Sequence, residues 1–227
     1  MHIVLLIIVV LALIIGPGIW VNAVMARYHL PKNRYEFTGA QSARQLLDSV
    51  GLNAISIEST EKGDHYDPIA KSVRLSPNNH SGRSLTAIAV AAHEVGHAIQ
   101  DAQGFKPLKW RTHLVRWVQP VEKVGAAMLM MAPFSAALTR VPMIGLFTFL
   151  GGILTLGSAV IVHALTLPTE FDASFGQALP LMAKRRMIRA DDMGRARRLL
   201  FAAALTYVSG ALQSLLNIAR WWAILRR

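Results

Sequence analysis

Leu85-Thr86-Ala87-Ile88-Ala89-Val90-Ala91-Ala92-His93-Glu94-Val95-Gly96-His97 reads as one continuous helix. From Leu85 to Ala92 the residues are apolar or helix-tolerant, Ser84 or Ser81 stands where a cap is needed, and Gly104 followed by Pro107 closes the element. At 3.6 residues per turn, positions four apart share a face. His93 and His97 can therefore reach one metal ion, with Glu94 near enough to act on its bound water. The plain alternative is a pair of solvated or core histidines, and the helix signals on both sides favour the metal.

Working outward, the composition is unusual for a water-soluble domain: 53% of the 227 residues are hydrophobic and 16% charged. The apolar residues are clumped. Ile3 to Val21, Val124 to Thr139, Val141 to Leu167 and Leu199 to Ala219 are almost free of charge, with His163 the one ionisable side chain among them apart from Arg140 between the second and third. A hydrocarbon core of about 30 Å takes roughly 20 such residues, so four membrane spans are expected, the second interrupted by Pro133. Val21-Asn22-Ala23 resembles a signal-cleavage site, but no basic residue precedes Ile3 and the apolar run is long for a signal core, which favours a retained anchor. With no cysteine, thiolate metal sites and disulfides are excluded, and a zinc ion would be held by His and carboxylate.

The formal net charge is +11, and Lys106, Lys109, Trp110, Arg111, Arg116 and Trp117 interleave bases with aromatics. In a multi-span chain the cytoplasmic excess of Lys and Arg explains this better than nucleic acid does. Residues 22–123 hold 13 of the 24 basic residues, which places the large loops in the cytoplasm. Trp221 and Trp222 suit an interfacial C-terminus. The expected organisation is an anchor at 1–21, a cytoplasmic catalytic region at 22–123, two transmembrane helices at 124–167, a cytoplasmic segment with the third ligand at 168–198, and a transmembrane helix with an interfacial C-terminus at 199–227.

Between the anchor and the His93 helix, Thr38 can cap a helix over about Gly39 to Val50 that Gly51 terminates. Ile55 to Glu58 and Ser72 to Ser76 alternate in polarity and predict a β-hairpin, with a turn-rich segment between them. The Ser72–Ser76 strand, nearest in sequence to the active helix, is expected to hold a peptide substrate as an added strand, an ordinary hairpin strand being the alternative.

A catalytic zinc needs a third protein ligand and an open position for water. A metzincin would carry a third His ten residues after His93, where this chain has Gln103, and no Asp-Gly pair of a site-2-type protease exists. Asp101 lies about 6 Å further along the helix axis than His97, which suits a supporting role better than ligation. Glu170 is the leading candidate. Two spans separate it from His97, returning it to the same side, and Pro168-Thr169 suits a fresh helix start that would hold it rigidly. His163 and Asp172 are the other candidates, and Asp172 also fits a capping box with Thr169.

Ala91 to Gln100, Leu167-Pro168 with Glu170 to Ser174, Asp64 to Pro68 and Ala202 to Val208 together resemble the YugP-type neutral zinc metallopeptidase family. The resemblance covers most of the chain. It implies a multi-pass membrane zinc peptidase with His93 and His97 as ligands, Glu94 as the catalytic residue and Glu170 as the glutamate ligand. Broader glutamate-zincin patterns often carry Asp four residues after the ligand Glu; here that position is Ser174, so Asp172 and Ser174 both stand as groups that could orient a histidine.

The expected fold is thus mainly α: multi-pass membrane helices with a small zincin-like α+β catalytic unit. The expected activity is hydrolysis of peptide bonds at one zinc ion, with Glu94 taking the proton of the bound water. His65 and Tyr66 are candidates to stabilise the oxyanion. Peptides or membrane proteins at the bilayer are the expected substrates, with the site at the cytoplasmic side of the cell membrane. A non-catalytic zinc-binding scaffold or chaperone is the alternative.

Overall fold

The computed structural model describes residues 2–206; within them the side chains of 2–11, 13–14, 115–119, 122, 156, 158–161 and 163–164 lie outside the description. Expectations for 207–227, and for the His163 side chain, therefore fall outside the described residues. The chain divides into two compact units. One comprises 19–109 with 167–206, and the other includes 2–18 and 110–166.

The first unit is built around α4 (Leu85–Ala102), which is buried from Leu85 to Gln100. A helix that is apolar on nearly every side is stable only when neighbours cover every side. Here α2 (Gly39–Ser49), the three-stranded sheet, α8 (Met193–Ala204) and a π-helical segment (Asp172–Ala178) all pack on it. Leu46 and Leu47 of α2, Val73 and Leu75 of the sheet, Ile88 and Val95 of α4, and Leu199 and Leu200 of α8 form the common core. Both helix starts are capped as the sequence predicts. Thr38 and Gln41 form a reciprocal capping box on α2, and the Ser84 hydroxyl accepts from the Ala87 amide on α4. Gly51 and Gly104, just past these helices, have φ of 77° and 68°, the left-handed region that favours glycine.

The expected hairpin between 55–58 and 72–76 is corrected. Strands β1 (Ser56–Ser59) and β3 (Ser72–Leu75) are parallel, and a third strand, β2 (His65–Asp67), pairs antiparallel to β3, giving the order β1-β3-β2. The tight turn belongs to β2 and β3, where the Asp67 carboxylate accepts from the Ile69 and Ala70 amides. The three residues of β2 are too few to show a period of two. Since β3 is central, both its edges are taken, and it has no open edge on which to add a substrate strand.

Outside α4, the unit is tied by a charge cluster around a buried carboxylate. Asp192, in a short 3-10 turn (Ala190–Asp192) before α8, accepts from Arg34 Nε and Nη2 at 2.6 and 2.7 Å, from Tyr35 Oη at 2.6 Å and from Arg195 Nη1 at 2.8 Å. Burial opposes ionisation of Asp192, but the bonds from Arg34, Tyr35 and Arg195 outweigh it and hold the carboxyl at about 2. Burial and the same carboxylate push the Tyr35 hydroxyl up to about 12.

α5 (Lys106–Thr139) and α6 (Pro142–Phe171), whose ends 106–109 and 167–171 belong to the first unit, run antiparallel in the second where Gly125 approaches Thr155 and Gly145 approaches Ala132 and Ala136, with Arg140 between them at φ 55°. Gly125 and Gly152 allow close approach, and a Cβ on Gly152 would press on Leu129.

Among the described residues no helix is long and apolar enough to cross a membrane. This overturns the expected multi-pass architecture, residues 207–219 of the expected fourth span lying outside the described residues. What is observed is a mostly helical chain with one small sheet. Several apolar runs are spent otherwise. Leu199, Leu200 and Ala202 of the expected fourth span are core residues beside α4. The last turns of α1 (His2–Tyr28) bury Val21 and Val24 in that same core. α5 opens with Lys106, Lys109 and Arg111 and contains Pro120 and Pro133. Pro168 does not begin a fresh helix either, since α6 runs through it to Phe171.

Candidate metal centre

Three buried side chains converge in the first unit. His93 and His97 stand one turn apart on α4, their rings edge-to-face with centroids 4.8 Å apart. Glu170 comes from the last turn of α6, and its Oε2 lies 3.2 Å from His93 Nε2 and 3.3 Å from His97 Nε2. Among the described residues these are the three His, Asp or Glu side chains placed so that they could hold a metal ion.

Close backbone contact brings the two elements together. Gly96, between the histidines, faces the π-helical segment, and an added Cβ would overlap the Ala173 carbonyl oxygen. The one-turn change from α to π packing widens the helix right after Glu170, a distortion often found at functional sites. It puts Asp172 and Ser174 behind the histidines.

The hydrogen bonds fix which ring nitrogens face inward. Ser174 Oγ donates to the Leu200 carbonyl at 3.0 Å, so it can only accept from His93 Nδ1, 2.9 Å away. Gln100 Nε2 donates to the Thr169 carbonyl and to Asp172 Oδ2, both at 2.8 Å, which turns its Oε1 toward His97 Nδ1 at 3.0 Å as an acceptor. Both imidazoles thus carry their proton on Nδ1 when neutral and present Nε2 lone pairs toward Glu170 Oε2. Two nitrogen lone pairs and a carboxylate oxygen facing one another repel, and either a proton or a metal cation among them relieves the repulsion.

The donor set fits zinc. Zinc bonds of about 2.0 to 2.2 Å to His nitrogen and carboxylate oxygen put neighbouring tetrahedral ligands about 3.3 Å apart, matching the two nitrogen-to-oxygen separations. A histidine ligand held through its other nitrogen by an oxygen acceptor is the usual supporting arrangement. Glu94 follows His93 on α4 and is buried with it.

The other sequence candidates lie elsewhere. Asp101 accepts from Tyr66 Oη at 2.7 Å and pairs with Lys71, linking α4 to the sheet. Burial and that carboxylate raise the Tyr66 hydroxyl well above its ordinary value. His65 sits on β2, with Nδ1 2.8 Å from the Gly63 carbonyl. Neither His65 nor Tyr66 is gathered with the three converging side chains. Asp172 acts through Gln100, whereas Ser174 touches His93 directly. Sequence reasoning missed Gln100; its one available signal was its place three residues after His97, on the same helix face.

Comparison with known proteins gives the family. A family model described as "Putative neutral zinc metallopeptidase" matches residues 3–226. The chain is 37% identical over 186 residues to "Putative membrane protease YugP" of Bacillus subtilis (strain 168), covering 81% of this chain and 79% of that relative. No solved structure matches. By a match that runs almost end to end, this chain belongs to the neutral zinc metallopeptidase family.

Proposed function

We propose that the chain is a zinc-dependent endopeptidase in which His93, His97 and Glu170 hold one zinc ion and Glu94 is the general base. The carrying observation is the convergence of Glu170 Oε2 on both Nε2 atoms, with each Nδ1 tied to an oxygen acceptor. Zinc, when bound, supplies a Lewis acid that acidifies water and polarises the scissile carbonyl.

The protein's own groups do the rest. Glu94 takes a proton from the attacking water and passes it to the departing amine nitrogen, so the carboxylate is regenerated in each cycle. Ser174 and Gln100 hold the imidazoles in the tautomer that binds metal and keep both rings from turning. Burial of Glu170 and both histidines excludes bulk water and strengthens each charge interaction at the site.

The substrates are peptides or membrane proteins near a bilayer, a location that the name of the Bacillus relative supports. Metal analysis of the purified chain beside His93→Ala, His97→Ala and Glu170→Ala tests the ligand set. About one zinc per chain is expected for the parent and a large loss in each variant; full zinc retention by Glu170→Ala defeats the assignment.

A further inference from the structure

A cavity of about 260 Å³ opens at the N-terminal end of α4. It is lined by Arg27 and Tyr28 from the last turn of α1, Leu30 and Arg34 from the following loop, Leu85 at the start of α4 and Arg195 from the first turn of α8. Leu85 precedes His93 by eight residues, about 12 Å along the helix axis, so this cavity is distinct from the metal centre.

Its electrostatics are one-sided. Three guanidinium groups line it, and a fourth, Arg198, bonds to the Tyr28 hydroxyl at 3.2 Å. Among the described residues the one carboxylate bonded to a lining side chain is Asp192, which leaves a clear positive excess. Asp192 also organises the site. It occupies Nε and Nη2 of Arg34 and Nη1 of Arg195, fixing both side chains while leaving further N–H donors on each. Arg27, exposed at the rim, stacks over Tyr28 with its guanidinium carbon 6.0 Å from the ring centroid. Two guanidinium forks held by a carboxylate, with a third at the rim of a polar cavity, are an arrangement suited to phosphate oxygens. The positive end of the α4 dipole, at Leu85, adds to the same field.

We propose that this cavity binds the phosphate group of an anionic ligand, either a phospholipid headgroup or a free phosphate. It does not depend on the peptidase reading, because none of the lining residues belongs to the metal centre.

The test uses the full chain in neutral-detergent micelles, with inorganic phosphate as the first probe, followed by calorimetry. Arg27→Gln, an exposed side chain that leaves the Asp192 cluster intact, is expected to weaken phosphate binding about tenfold, the scale of one charge-assisted contact. Arg198→Gln should weaken it less. Lys62→Gln, which removes the same charge from a distant loop, should leave it unchanged. A second arm compares micelles doped with phosphatidylglycerol and with phosphatidylcholine. A phosphatidylglycerol preference that Arg27→Gln removes assigns the cavity to a lipid headgroup, and phosphate binding without such a preference assigns it to a free phosphate. Equal losses for Arg27→Gln and Lys62→Gln, or no binding of either anion by the parent chain, overturn the proposal.

Discussion

Around Asp192 every contact closes on a donor. Four N–H and O–H groups from Arg34, Tyr35 and Arg195 fill its two oxygens. Around Glu170 the hydrogen bonds run the other way. Ser174 and Gln100 draw the histidine protons outward, and acceptor atoms are left facing each other at 3.2 and 3.3 Å. Both clusters are buried in the same unit, and both join segments far apart in sequence. The difference separates a carboxylate whose oxygens are filled by donors, which stabilises the fold, from a convergence of ligand atoms that could hold a metal ion.

The two clusters answer to different measurements. The largest effect is expected at Glu94. Glu94→Gln should lower peptide cleavage by roughly 10²- to 10⁴-fold, the span of general-base contributions, while zinc content by atomic absorption stays at the parent level. Unaltered cleavage in a protease-free preparation removes Glu94 from the mechanism.

Next comes Asp192→Asn. Stripping the charge from a buried, multiply bonded carboxylate strands Arg34 and costs about 3 kcal/mol of unfolding free energy, readable as a lower denaturation midpoint. Zinc affinity of the folded fraction should be unchanged. A coupled fall in zinc affinity would erase the distinction between the clusters.

Ser174→Ala and Gln100→Ala sharpen it from the other side. Each releases one imidazole from its acceptor, and a roughly 10- to 100-fold loss of zinc affinity is expected by competition with a chelator, with little change in the stability of the metal-free protein. The reverse pattern, lost stability with intact affinity, would make Ser174 and Gln100 ordinary packing residues.

The smallest effect concerns acid. The Asp192 carboxyl is held at about 2 against an ordinary 3.8, so its contribution to stability is complete above about pH 4 and drains away as pH falls toward 2. The full swing is about 2 kcal/mol. It should appear as the difference between the parent and Asp192→Asn stability curves, narrowing through that window. A constant difference across it would mean that the carboxyl titrates normally.

How much of this was legible in the sequence depends on the distance over which each feature is encoded. The α4 helix, its Ser84 cap and the shared face of His93 and His97 follow from local periodicity and capping chemistry. Glu170 could be reached by elimination and by resemblance. Its convergence with the histidines needed the close packing at Gly96 and the π-helical turn, neither of which leaves a periodic trace. The hairpin expectation failed because alternation identifies a strand but not its partner, and β2 was too short to register. The span expectation failed because apolar runs such as 199–204 look alike whether they face lipid or a protein core.

The sequence alone determined the helix that carries the motif, the choice of His and carboxylate as the available ligands in a chain without cysteine, and the strong positive charge. Tertiary structure decided which carboxylate meets the histidines, which nitrogen of each ring turns inward, and where two arginines and a tyrosine gather around one buried aspartate. The reason is range. Caps and helical faces are set by residues a few positions apart, whereas Ser174 and His93, or Asp192 and Arg34, meet across 81 and 158 positions, and only the packed core brings them together.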